Sequence, residues 1–502
     1  MTTANLASIL SGSARSFPSK TAVVAGDAEV DYGTLDTFAR MFAGGLRHLG
    51  VQPGEHVALV LPNVPQFTVA YFGCHYSGNP VVPLNVLLTA DELAYHLDDA
   101  QAVAVITWEL FLPTVQQAAG SRTVIVAKAD LGDLSAPDGV HNLTAVVAGA
   151  QPVDGPHPTS AEDTAVVLYT SGTTGKPKGA ELTHGNLLAN ARVPHELVGL
   201  APDTVALVAL PLFHAFGMTV MHNAVLAVGG TLVLQPRFTP AAAAELIERH
   251  RVTFFGGVPT MYVALLHDQT AGERDLSSLT WCVSGGAPMP AEVMGAFESR
   301  FGVTLLEGYG LSETSPVVSF TVPGRPRTPG SIGYPVPGVE MALADDGEIL
   351  VRGHNVMKGY WRNPEATADA MVDGWFRTGD VGAVDEHGAY RIVDRKKDLI
   401  IRGGYNVYPR EVEEVLHRHP AVAQAAVIGV PHPRYGEDVK AVVVVKPGTA
   451  ATAEEITAWC RDHLAAYKRP RIVELRDSLP TGPTGKVLKS VLRAEAQPSA
   501  AA

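Results

Sequence analysis

Strand-length apolar runs recur along the chain with helix-like stretches between them, and this alternation narrows the possible folds more than any other feature. Val57–Leu61, Ala102–Ile106 and Thr123–Ala127 are such runs, and 90–98 carries the spacing of an amphipathic helix. Strands buried on both faces and separated by helices form α/β layers with mainly parallel sheets. With 502 residues, 46% of them hydrophobic and 18% charged, the chain is long enough for more than one such core.

Composition removes several classes of function. Lys and Arg total 38 against 51 Asp and Glu, a net charge of -13, which is a poor footprint for a nucleic-acid binder. No apolar stretch reaches the roughly 18 residues that would suggest an integral membrane segment. Residues 1–20 lack a basic region followed by a long apolar core, so no secretory signal is expected. Cys74, Cys282 and Cys460 lie far apart, in neither metal-ligand nor disulfide spacing. A cytoplasmic protein is the expectation. From Lys397 onward there are 15 Lys and Arg against 12 Asp and Glu, whereas the residues before it hold 23 against 39. The C-terminal fifth is therefore electrostatically distinct, as a small domain facing an anionic ligand would be. Asp394–Asp398 reads as a linker, 410–419 as an amphipathic helix, and Val422–Val430 and Val439–Lys446 as strands.

One loop carries phosphate chemistry on its face. A strand ending at Tyr169 runs into Thr170-Ser-Gly-Thr-Thr-Gly-Lys-Pro-Lys-Gly179, with three glycines, four hydroxyls and two lysines. Glycines let backbone N–H groups converge on one point, hydroxyls add donors and lysines add charge, which together suit a polyphosphate. It is not a Walker A loop, because only two residues separate Gly172 from Gly175-Lys176.

The segment 170–179 resembles the signature of the adenylate-forming superfamily, and further motifs follow in order. Pro211-Leu-Phe-His-Ala-Phe-Gly217 resembles the family's aromatic-histidine segment beside the acyl pocket. Ser284-Gly-Gly-Ala-Pro288 resembles the turn that walls the adenine. Glu307-Gly-Tyr-Gly-Leu-Ser-Glu-Thr314 resembles the motif with the magnesium glutamate. Trp375-Phe-Arg-Thr-Gly-Asp380 resembles the ribose-binding segment. Asp394-Arg395 with Lys397 resembles the ribose arginine and hinge, and Pro483-Thr-Gly-Lys486 the segment of the catalytic lysine. The resemblance covers essentially the whole chain. It implies an α/β fold, with a large N-terminal domain of layered sheets and helices (1–396) and a small mobile C-terminal α+β lid (397–502).

Roles follow from the resemblance, residue by residue. Glu313 is the expected Mg2+ partner, since a hard cation takes carboxylate and phosphate oxygens. Thr170, Ser171, Gly172, Thr173, Thr174, Gly175, Lys176 and Thr314 would hold ATP phosphates, while for Lys176 and Lys178 the alternative is simply to coat the loop. Gly285, Gly286, Ala287, Gly308, Tyr309 and Gly310 would cradle AMP. Asp380 would accept from both ribose hydroxyls, with Arg395 assisting. Lys486 would stabilise the adenylating transition state. His214, between two phenylalanines, is assigned to orientation at the carboxylate pocket rather than to proton transfer. Rotation about Lys397 would bring Gly403 and Gly404 to the acyl-adenylate for a half-reaction with coenzyme A.

The implied reaction is ATP-dependent activation of a carboxylic acid, then acyl transfer to coenzyme A with release of AMP. The stretch Val205–Pro236 contains no Asp, Glu, Lys or Arg, which argues against amino acids and short diacids. Phe213, Phe216, Met218, Val220, Met221 and Val225 offer an apolar lining. A medium- or long-chain fatty acid is the expected substrate. The alternatives are an aryl acid of coumarate or benzoate type, or a stand-alone ligase loading an acyl carrier protein. Oligomeric state stays open, a homodimer being one option.

Overall fold

The computed structural model describes residues 4–170, 176–328, 330–395, 398–403, 405–482 and 485–496. Two large sheets and one small one account for the architecture. In the 8-stranded sheet, Thr164–Thr170, Val81–Pro83, His56–Val60, Ala102–Trp108, Thr123–Ala127 and Val140–Asn142 run parallel, while Lys178–Thr183 and Gly359–Tyr360 return antiparallel. Every residue of His56–Val60 is buried, which explains why the central strands read as continuous apolar runs.

The 14-stranded sheet is split by direction. Its Thr21–Ala25, Thr231–Leu234, Val205–Val208, Phe254–Gly257, Trp281–Ser284 and Thr304–Gly310 strands are parallel. From Val317–Phe320 onward the pairing turns antiparallel, through Ser331–Pro335, Tyr390–Arg395 and Trp375–Val384. The expectation of mainly parallel sheets therefore holds for the middle of each large sheet and fails at this distal end. One hydrophobic core spans both sheets, including Phe67, Tyr71, Leu207, Phe255 and Leu305.

Helix boundaries follow local chemistry. Thr89 and Glu92 form a reciprocal capping box that starts the helix Ala90–Asp99. Thr183 caps the helix His184–Val198, and Gly199 ends it in the left-handed conformation. Phe216–Asn223 is a wide helical turn of π type.

The C-terminal part folds around its own sheet, ordered Tyr405–Val407, Ile400–Arg402, Gly436–Val445 and Val422–His432, with Ile472–Arg476 beside Gly436–Val445. A separate apolar core (Ile400, Val412, Leu416, Val443 and Ile456 among others) packs one face of it against helices. The expected helix appears as Pro409–His417, and the expected strands as Val422–His432 and Gly436–Val445. Asp394 and Arg395, read as linker, are the last residues of the body strand Tyr390–Arg395. Lys397, the expected hinge, and residue 396 lie outside the described residues.

Candidate active site

The phosphate loop joins two antiparallel strands, with Tyr169 opposite Gly179 and Thr170 opposite Lys178. It is thus a hairpin connection rather than the strand-to-helix turn of a Walker A site. Ser171, Gly172, Thr173, Thr174 and Gly175 lie outside the described residues, but both ends of the loop are visible. The Lys176 ammonium lies 5.8 Å from the Tyr95 ring centroid, and Lys178 lies 5.3 Å from that of Tyr360.

Glu313 belongs to the short turn Ser312–Thr314 and is buried. The Tyr360 hydroxyl donates to its Oε1 at 3.0 Å, and the Met357 amide donates to its backbone carbonyl at 2.8 Å. Tyr360, which the sequence reading missed, has its own ionisation suppressed by burial and by this carboxylate. Among the described residues, no cluster of three or more His, Cys, Asp or Glu could hold a metal ion. A single carboxylate beside a phosphate loop fits Mg2+ that arrives on ATP and keeps phosphate and water ligands.

Thr314 corrects one expectation. It is fully buried, and its hydroxyl donates to Pro316 O at 2.7 Å while accepting from the Leu311 amide at 2.9 Å. Its hydroxyl is committed to shaping the turn that presents Glu313, and so does not reach phosphate.

The residues expected to cradle AMP lie at two strand ends. Gly285, Gly286 and Ala287 follow Trp281–Ser284, and Gly308, Tyr309 and Gly310 close Thr304–Gly310. A Cβ on Gly310 would sit 1.8 Å from Pro316 O, so no side chain fits there. Tyr309 donates its hydroxyl to Asp380 Oδ2 at 2.7 Å, and Asp380 is buried. Asp380 lies directly across the ladder from Arg395, which places the two ribose candidates in register.

A cavity of about 740 Å3, counting its open mouth, starts at Gly285, Gly286 and Gly308–Gly310 and runs into an apolar end. Val193, Pro194, Leu197 and Val198 of the long helix form one wall; Phe254, Val317 and Phe320 form another. No Asp, Glu, Lys or Arg lies among its described lining residues. Phe216 and Val220 line it as expected, but Phe213, Met218, Met221 and Val225 do not. The wide turn Phe216–Asn223 sends Phe216 and Val220 to one face. Met218 and Met221 point into the core, where Met221 packs on Gly256. Helical periodicity could have made that division, but the helix wall is distant in sequence and only tertiary packing brings it in.

His214 lies in the cavity wall, exposed to the cavity but deep in the protein. Burial, then the Lys486 ammonium, push its pKa down to about 4. It is therefore neutral near pH 7, which suits orientation rather than proton transfer. Lys486 stands in the turn bridged by Thr481 and Val487. The preceding Gly485 has φ of +73°, and a Cβ there would meet Thr260 Oγ1 at 2.5 Å. The C-terminal part thus seats this turn on the body at Thr260, with the Lys486 ammonium within electrostatic range of His214. Gly403 lies elsewhere: its amide donates to Tyr435 O at 2.8 Å, within the C-terminal part. Gly404 lies outside the described residues.

Comparison with known proteins agrees with this geometry. Residues 10–361 match the family of AMP-binding enzymes, and residues 411–486 match the AMP-binding enzyme C-terminal domain. The chain is 42% identical to a feruloyl-CoA synthase of an Amycolatopsis species, over 96% of each chain. It is 39% identical to a long-chain-fatty-acid–CoA ligase of Bacillus subtilis, over 98% of this chain and 94% of that one. The crystal structure of the anthranilate CoA ligase AuaEII in complex with anthranoyl-AMP superposes with a TM-score of 0.92 at 30% identity, over 99% of this chain and 98% of that one. The chain belongs to the adenylate-forming superfamily of AMP-binding enzymes, and within it to the acyl-CoA ligases.

Proposed function

We propose that the protein activates a medium- or long-chain fatty acid with ATP and Mg2+, then passes the acyl group to coenzyme A, in the cytoplasm. The observation that carries this reading is the cavity lined by Gly285, Gly286, Gly308–Gly310 and His214 together with apolar side chains, with no charged group among its described lining residues. An ammonium or second carboxylate on the substrate would be buried there without a partner.

In the first step a carboxylate oxygen of the acid attacks the α-phosphorus of ATP, and pyrophosphate leaves. The carboxylate is already an adequate nucleophile, so catalysis rests on alignment and charge neutralisation. Lys486 neutralises charge between the two anions, and neutral His214 orients the acid at the cavity mouth. Asp380, positioned by Tyr309, accepts from the ribose, with Arg395 opposite. Glu313, positioned by Tyr360, would hold Mg2+, which supplies charge for the leaving pyrophosphate. In the second step the coenzyme A sulfur attacks the acyl carbonyl carbon and AMP leaves. We assign the hinge to Lys397 and the thiol half-reaction to Gly403 and Gly404, with domains at 1–396 and 397–502. These assignments rest on motif position.

An aryl acid is the second reading, favoured by the aromatic walls Phe216, Phe254 and Phe320 and by the feruloyl-CoA synthase likeness. The test is AMP release from MgATP across acids from acetate to C16, with benzoate, coumarate and malonate, with and without free coenzyme A. Peak turnover between C8 and C16 that requires coenzyme A is the expected result. A coumarate or benzoate peak replaces it with the aryl reading, and adenylation with no coenzyme-A-dependent turnover would instead point to a carrier protein as acceptor.

A further inference from the structure

The helix Ala90–Asp99 belongs to none of the motifs above, yet it touches both ends of the phosphate loop. At the outgoing end, the Tyr95 hydroxyl donates to Pro177 O at 3.1 Å, and the Tyr95 ring lies under Lys176. At the incoming end, the Tyr169 hydroxyl donates to Asp99 Oδ2 at 2.6 Å, and its ring meets His96 edge-on at 4.7 Å. Tyr95 and Asp99 are four residues apart, so they project from one face of the helix.

A third connection leaves the same helix. The Asp99 carbonyl accepts from Trp361 Nε1 at 3.1 Å, and the Trp361 amide donates to Gly179 O at 2.7 Å. Trp361 follows Tyr360, the residue that donates to Glu313. The helix itself is held by its Thr89–Glu92 capping box and by burial of Leu93, His96 and Leu97. A rigid helix thus fixes where the loop leaves one strand, where it enters the next, and where the Glu313 partner sits.

We propose that Tyr95 and Asp99 are positioning residues for ATP, acting through the two ends of the phosphate loop. The proposal rests on the reading that residues 170–179 bind polyphosphate. Loops bind phosphate tightly only when their N–H groups are already convergent, because ordering them on binding costs affinity. Loosening either anchor should therefore weaken ATP recognition and leave the acid site unchanged.

The test uses the whole chain with Tyr95→Phe, Tyr95→Leu and Asp99→Ala. KM for MgATP and for the preferred acid would be measured, with direct ATP binding and melting temperature alongside. Losing one anchoring hydrogen bond predicts a rise of about five- to tenfold in KM for ATP in Tyr95→Phe and Asp99→Ala. The acid KM should stay constant. Tyr95→Leu also loses the ring under Lys176 and should rise further than Tyr95→Phe. Should Tyr95→Leu not fold, the other two variants carry the test. Unchanged KM for ATP in the variants, or equal rises for ATP and acid, would overturn the proposal alone. A wild-type protein that binds no ATP would overturn the polyphosphate reading together with it.

Discussion

Lys486 is held by its turn before any ligand arrives. Gly482 N donates to Lys486 O and Leu488 N to Pro480 O, each at 2.8 Å, while Gly485 rests on Thr260. In the proposed role, a lysine fixed this way would contribute preorganised charge at the transferring phosphoryl group, and loss of one such contact costs about a hundredfold or more in rate. Lys486→Ala should therefore slow acyl-adenylate formation by about that factor and spare thioester formation from supplied acyl-adenylate. Rapid-quench assays of the two half-reactions read this directly, and equal loss in both would remove the assigned role. Glu313, Asp380 and Lys486 could be proposed from sequence because each sits in a short segment whose resemblance to the family's motifs needs no tertiary information. Thr314 was misread because a hydroxyl beside a charged residue looks the same in sequence whether it faces phosphate or its own turn. Tyr360 and Tyr309 act on Glu313 and Asp380 across 47 and 71 residues of sequence. No local pattern encodes those pairings.

At the scale of elements, the central strands were legible because burial on both faces leaves an unbroken apolar run, as in His56–Val60. The packing of helices around them was not. Pro65–Ser77, His184–Val198 and Phe216–Asn223 meet over a buried polar cluster that sequence alone gives no reason to assemble. His222 Nε2 pairs with Thr68 Oγ1 at 3.0 Å, Asn223 donates to the Tyr71 hydroxyl at 3.0 Å, and the Leu6 amide donates to His184 Nδ1 at 3.1 Å. His75 lies against Tyr71 and His184, and neither of its ring nitrogens has a partner among the described residues. Burial lowers His184 and His222 to about 4, despite Asp163 pulling His184 upward and Asn223 pulling His222 upward, and it holds His75 well below the usual range. Folded, these histidines stay neutral; unfolded, they take protons near pH 6.5. Stability is therefore complete above about pH 6.5 and falls as pH drops toward 4, by up to about 1.4 kcal/mol per pH unit for each histidine. Replacing His75 with Leu removes one such group together with an unsatisfied buried ring. Thermal melts from pH 7 to 5 should show a shallower decline in His75→Leu than in wild type, with no loss at pH 7. Identical slopes would show that His75 does not contribute.

The whole molecule is a large N-terminal body and a small C-terminal part, the proposed lid, which meet at more than one place, and the charge division at Lys397 says nothing of how they dock. Seating of Gly485 on Thr260 is one contact; Arg410, the second residue of the lid helix Pro409–His417, is another. Its side chain is buried and donates to two body carbonyls, Ile392 O at 2.5 Å and Gly330 O at 3.2 Å. Its amide donates to Asp394 Oδ2 at 3.1 Å. Arg410 also faces the body's Glu307, a carboxyl that burial raises to about 7 and that Arg410 and Arg327 pull downward. The guanidinium thus satisfies body groups only while the lid sits as it does here, with Lys486 beside His214. Arg410→Ala leaves those carbonyls and Glu307 less well compensated and removes a restraint on that position. Two lost hydrogen bonds predict a fall of about tenfold in the rate of acyl-adenylate formation. Thioester formation from supplied acyl-adenylate, which does not need Lys486 in place, should hold or rise. Stopped-flow pyrophosphate release paired with a coenzyme A thioester assay separates the two. An unchanged first step would show that Gly485 and its neighbours suffice to dock the lid, and Arg410 would then be only a structural residue of its helix.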